Sequence, residues 1–110
     1  MAVTYKVLGQ SAPTGTTNVD LYTVPGATSA VISTLLVTNS TVTEATCRIF
    51  VRVAGAAAAV SNAIVYDGPV PANDFTAITI GITLGAADII TVQSGTADAL
   101  AFQAFGSENS

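Results

Sequence analysis

The chain has no histidine, no tryptophan, one cysteine and only three basic residues among 110. Each shortage removes a class of function. Without histidine, the usual base beside a serine or cysteine nucleophile is missing. A lone cysteine, Cys47, can form no internal disulfide and no cysteine-based metal site. Lys6, Arg48 and Arg52 are too few to track a phosphate backbone, and a net charge of −4 opposes it, so no nucleic-acid partner is expected. No apolar run reaches the length of a membrane-spanning helix, so no membrane partner is expected either. The opening "MAVTYKVLGQ" lacks a basic stretch followed by an apolar core, and no secretory signal is expected from it. The sequon "NST" at Asn39 therefore reads as coincidence.

Half of the residues are hydrophobic and 9% are charged, against about 25% in an ordinary globular chain. Sixteen threonines supply much of the polar surface instead. The length fits a single domain, residues 1–110, that buries roughly two-thirds of its unfolded surface. So low a charge density suits a protein that works packed against others.

The pattern is that of strands throughout. Runs rich in Val, Ile, Thr, Tyr and Phe are separated by turn-forming clusters: "SAPTGTTN", "PG", "DGPVPAND", "GAAD" and "SGTAD". The spacing predicts eight strands, near 2–8, 19–24, 29–38, 44–54, 62–67, 75–84, 88–94 and 99–106. No stretch of ten or more residues has a helical period, which argues against crossover helices and a parallel sheet. The fold class is all-β, about eight antiparallel strands in a two-sheet sandwich, either jelly-roll or immunoglobulin-like. The alanine-rich "AGAAAAV" at 54–60 is too short to hold a helix and reads as a loop or single helical turn whose small side chains would let another backbone approach. The closing residues, 107–110, read as a short flexible tail.

Three strands carry specific expectations. In "FTAITIGITL", Ile78, Ile80, Ile82 and Leu84 alternate onto one face and are predicted to be core. In "VISTLLVTN", apolar side chains fall on both faces, predicting a central strand covered on each side. In "TCRIFVRV", Cys47, Ile49, Val51 and Val53 point inward while Arg48, Phe50 and Arg52 share the outer face. Two of the three cations thus flank an aromatic ring on one stripe. Arg48, Phe50 and Arg52 are the candidate partner-contact residues, because arginines and aromatics favour contact hot spots. The competing reading has Phe50 covered by neighbouring side chains, with the arginines capping it.

The carboxylates offer little chemistry. Asp20, Glu44, Asp67, Asp74, Asp88, Asp98 and Glu108 fall mostly at predicted turns, where they cap backbone N–H groups. Loops at one end could gather Asp67, Asp74 and Asp98 around calcium, but there is no dense acidic run of the calcium-loop kind. No catalytic, cofactor-binding or metal-binding residue is assigned, and no enzyme is expected.

Several segments together resemble one group of proteins: "TYKVLGQSAPTGTTNVDLYTVP", "RIFVRVAG" at 48–55, "VPAND" at 70–74, "GITLGAADIITV" at 81–92 and "FQAFGSE" at 102–108. They are similar to strand and turn signatures of small virion structural proteins of tailed bacteriophages. The resemblance implies a particle component assembled in the host cytoplasm, with itself and other virion proteins, such as the major capsid protein, as partners. It implies either a decoration (cement) protein on the head or a tail, neck, baseplate or fibre adaptor, and closed homo-oligomers such as trimers would suit a decoration role. From another class, a carbohydrate-binding sandwich module has the right size, but lacks tryptophan and a loop cluster of aromatics.

Overall fold

The computed structural model describes residues 2–110, and among these it contains nine strands. They are β1 (Val3–Ser11), β2 (Val19–Thr23), β3 (Ser29–Asn39), β4 (Ala45–Arg52), β5 (Ala63–Val70), β6 (Phe75–Ile78), β7 (Ile82–Leu84), β8 (Ile89–Ser94) and β9 (Leu100–Asn109). One sheet runs β1-β9-β3-β6, with β7 also paired to β3; the other runs β2-β8-β4-β5. All the pairings are antiparallel. Since β6 and β7 both lie along β3, they form one interrupted edge, and the count returns to the eight expected. The order is that of a jelly-roll, the first of the two sandwich topologies left open by the sequence.

The core lies between the sheets. Ile32, Leu35, Val37, Ile49, Leu84, Ile90, Val92 and Phe102 are almost completely removed from solvent. Cys47 joins them, and burial pushes its thiol up to about 11, leaving it protonated and unreactive at neutral pH. At one end of the sandwich the amide of Asn39, 1% exposed, donates to the carbonyls of Thr43 and Val70 and accepts from Thr41. A buried polar group fully satisfied in this way fixes the 40–44 loop. It also leaves the Asn39 sequon unreachable in the folded chain.

Two bulges explain where simple alternation fails. The β3–β9 register shifts between Ile32 and Thr34, so Ala30 and Ile32 face the core on one side of Ser33 and Leu35 and Val37 on the other. The apolar residues that fell on both faces of "VISTLLVTN" therefore mostly serve one core. Val31 and Leu36 are left on the outer side. The β1–β9 register shifts at the same level, between Val7 and Gly9. At Gly106 of β9 there is no room for a side chain: a Cβ would meet the Val31 carbonyl oxygen at 1.9 Å. "FTAITIGITL" is also broken. Gly81 adopts a left-handed φ of 66° between β6 and β7, and Ile80 is 63% exposed. Only Ile82 and Leu84 of its four aliphatics are buried; Ile78 packs at the margin.

The expected tail is a strand. Ser107, Glu108 and Asn109 of β9 pair with β1 on one side and β3 on the other. Glu108 turns inward, where it accepts a 2.5 Å hydrogen bond from the hydroxyl of buried Tyr22 and a 3.0 Å ion pair from Lys6. The Tyr22 hydrogen bond, and then Lys6, hold the Glu108 carboxyl below its ordinary value, while burial and the carboxylate push the Tyr22 phenol up. Because the folded-state value of Glu108 is depressed, its contribution is present above the unfolded value of about 4.3 and is lost as pH falls through the folded one. Urea midpoints followed from pH 7 to pH 3 are expected to fall more steeply for the wild type than for Glu108→Gln. Parallel declines would show that Glu108 does not carry the effect.

Candidate interaction surfaces

The outer face of the β2-β8-β4-β5 sheet carries the stripe singled out by the sequence. Arg48 lies opposite Tyr66 of β5 and Gln93 of β8; Phe50 lies opposite Ala63 and Thr91. Arg48 makes a two-pronged contact with Asp67, 2.7 Å from Nε and 3.1 Å from Nη2. Its guanidinium also sits 4.0 Å above the Tyr66 ring. The Arg48 hydrogen bond draws the Asp67 carboxyl below the usual carboxylate range. Stacking thus falls on Tyr66 rather than on Phe50.

Arg52 is spent within the chain. Its Nη1 donates to Asp20 and Thr91, its Nε to the Ala56 carbonyl at 2.7 Å, and its Nη2 to the Gly55 carbonyl. These bonds hold the 53–62 segment, which forms two short 3-10 turns, Val53–Gly55 and Val60–Asn62. Ala54 and Gly55 adopt left-handed φ there, so β4 ends at Arg52 and Val53 swings out, 66% exposed instead of in the core. Most of the small side chains of "AGAAAAV" are exposed, and the segment is held to its own chain through the Arg52 hydrogen bonds. Phe50 is only 4% exposed. With Ala58, Ala59, Val60, Thr16, Thr17 and Tyr66 it lines a hollow of about 500 Å³ on this face. Of the three candidate contact residues, the structure leaves Arg48 at the surface, ties Arg52 to the 53–62 segment and covers Phe50.

The carboxylates part company as well. Asp20, Asp67 and Glu108 lie on strands and take the three cations, rather than capping turns. Asp88 does cap, accepting from the backbone N–H of Gly85 and Ala54, and Asp74 accepts from Phe75. Among the described residues no three His, Cys, Asp or Glu side chains converge to hold a metal, so Asp67, Asp74 and Asp98 are not brought together.

The surface the sequence reading missed lies on the opposite sheet. Partners in an antiparallel register share a face. The outward positions are therefore Val3, Tyr5, Val7 and Gln10 on β1; Ala101, Gln103, Phe105, Ser107 and Asn109 on β9; Ser29, Val31, Thr34, Leu36 and Thr38 on β3; and Phe75, Ala77, Thr79 and Thr83 along the interrupted edge. None is charged. Val3, Val7, Val31 and Phe75 are exposed, and Tyr5 is 83% exposed. The chain's cations and acids project inward, onto the other sheet or into loops. A period-2 count over "VTYKV" signals this face, but the bulge at Leu8 makes β1 read as apolar on both sides.

No family model matches this sequence, and no curated protein matches it. Among solved structures, a chain from the infectious bursal disease virus Gx strain is similar, with a TM-score of 0.50, 15% identity and 97% of this chain covered. A chain from the Gt strain of that virus gives a TM-score of 0.46 and 11% identity over 96% of this chain. The present chain spans 31% of the length of each. At 15% identity the likeness to the Gx-strain chain is one of fold.

Proposed function

We propose that this chain is a non-enzymatic structural protein of a virus particle, seated on the head of a tailed phage as a decoration protein. The observation that carries the reading is the uncharged outer face of the β1-β9-β3-β6 sheet. A face of four strands that exposes Tyr5, Val31 and Phe75 and carries no charge is a surface of the kind that marks an interaction site. It suits a protein whose work is to be packed. The jelly-roll fold, shared with a chain of infectious bursal disease virus, and the phage-like segments "TYKVLGQ" and "GITLGAADIITV" support the viral setting. Neither supplies the location on the particle.

Antibody-gold labelling of particles purified from cells that make this chain tests the reading. Gold spread over heads is the expected result. Gold at the tail or neck would replace decoration by an adaptor role, with the loops at the Asn39 end of the sandwich as the contact. Bare particles with accessible epitopes would overturn the proposal.

A further inference from the structure

We infer that the uncharged sheet face is covered by a second copy of this chain, in a two-fold pairing whose axis runs along the strands. The inference rests on the reading of the chain as an assembly protein and adds the occupant of the face. Three observations point to self-pairing. The first is charge. The molecule carries −4, yet no outward position of this sheet is ionised, so two copies meet without like charges in contact. Like-charge juxtaposition would cost several kcal/mol at an interface, and here it is absent.

The second is size. Four strands about 4.8 Å apart and about nine residues long, at about 3.3 Å each, cover about 570 Å² in projection. Side-chain relief brings the accessible area toward the roughly 800 Å² per partner of a stable interface.

The third is shape. Across the sheet, Tyr5 of β1 lies level with Ser107, Val31 and Thr83, so a large side chain on one edge answers a small one on the other. Two steps along, past the level of Val7, Phe105 and Thr34, Gln10 lies level with Gln103, Leu36 and Ala77. At the next, Phe75 lies level with Thr38 and Ala101, where β1 has given way to Ala12. A two-fold axis along the strands lays the β1 edge of one copy over the β6/β7 edge of the other. Tyr5 then faces Thr83, Gln10 faces Ala77 and Phe75 faces Ala12. An axis across the strands would instead lay β1 over β1 and the β6/β7 edge over itself, and would lose this edge-to-edge match. Isologous two-fold pairing is also the commonest closed assembly.

Sedimentation equilibrium of the purified full chain is the test. A mass of twice 11.0 kDa is expected at micromolar concentration. Tyr5→Glu is expected to weaken the dimer at least about 30-fold, as loss of an interface hot spot does, while leaving the thermal midpoint of the monomer unchanged. Val60→Glu, an exposed change in the short turn beside the other sheet, is expected to leave the dimer intact. The double variant Gln10→Cys, Ala77→Cys reports the axis. Within one chain these positions are separated by β9 and β3, about 14 Å, too far for a disulfide. On oxidation they are expected to give a covalent dimer. A monomer, a trimer or a dimer indifferent to Tyr5→Glu would overturn the pairing. Each of those results would leave the particle reading to stand or fall by the gold labelling.

Discussion

Phe50→Ala is expected to lower the free energy of unfolding by about 3 kcal/mol or more, within the range for a buried phenylalanine. The ring is on the outward side of β4, yet it is 4% exposed, in the hollow that Ala58, Ala59, Val60 and Tyr66 also line. Truncation would leave a void beneath a loop that Arg52 already anchors through the Gly55 and Ala56 carbonyls. Part of the loss would be recovered if that loop settled inward. Urea denaturation gives the number directly. A cost below about 0.5 kcal/mol, typical of surface substitutions, would show that the ring is open to partners after all. Adding Arg52→Ala is expected to produce a non-additive loss, because both residues hold the same segment. That double replacement therefore reads folding before it reads any contact.

Removing residues 107–110 is expected to be more damaging still, at about 3–5 kcal/mol. The deletion takes ladder hydrogen bonds from both neighbours of β9 at once. It also strips Tyr22 of its carboxylate partner, and a buried hydroxyl left unsatisfied costs about 1–3 kcal/mol by itself. Lys6 loses its partner too, but that pair is part-exposed and contributes less. Thermal melts of the truncated and full chains decide the matter. Equal midpoints would restore the tail reading of these residues.

The strands and the sandwich were legible because period-2 alternation and turn residues are local signals. "TCRIFVRV" and "ITL" show them plainly, and Ile49, Ile82 and Leu84 went where alternation sent them. The errors have a common cause in distant partners. Ser33 has nothing in its own neighbourhood to mark it as a bulge; its place depends on Phe105 and Gly106 across the sheet. Ile80 alternates correctly but sits beside Gly81, whose left-handed turn takes it out of the sheet. "GSENS" has tail-like composition, and only its two flanking strands make it β9. Phe50 faces outward as expected, but its cover comes from a loop eight to ten residues onward. Strand order, and so the choice of jelly-roll, is likewise fixed by long-range pairing. The uncharged face proposed as a contact surface escaped the sequence for the same reason, since a face assembled from four separated segments leaves no mark in any one of them.

The two sheets share one awkwardness of timing. β8 lies between β2 and β4, and β9 lies between β1 and β3. The innermost strands are therefore among the last to be synthesised, and β1 and β2 have no sheet partner until they emerge. Before then only the β4–β5 pair and the pairing of β3 with β6 and β7 can form. Neither builds the core, and each leaves the edge that β8 or β9 will occupy open to a stranger. Pairings so far apart in sequence close slowly, in milliseconds to seconds, against microseconds for helical bundles. During that interval the unclaimed edges are sites for aggregation. Holding nascent chains apart, by low expression temperature or by chaperones, should therefore raise the yield of folded protein more than any change that strengthens the finished molecule.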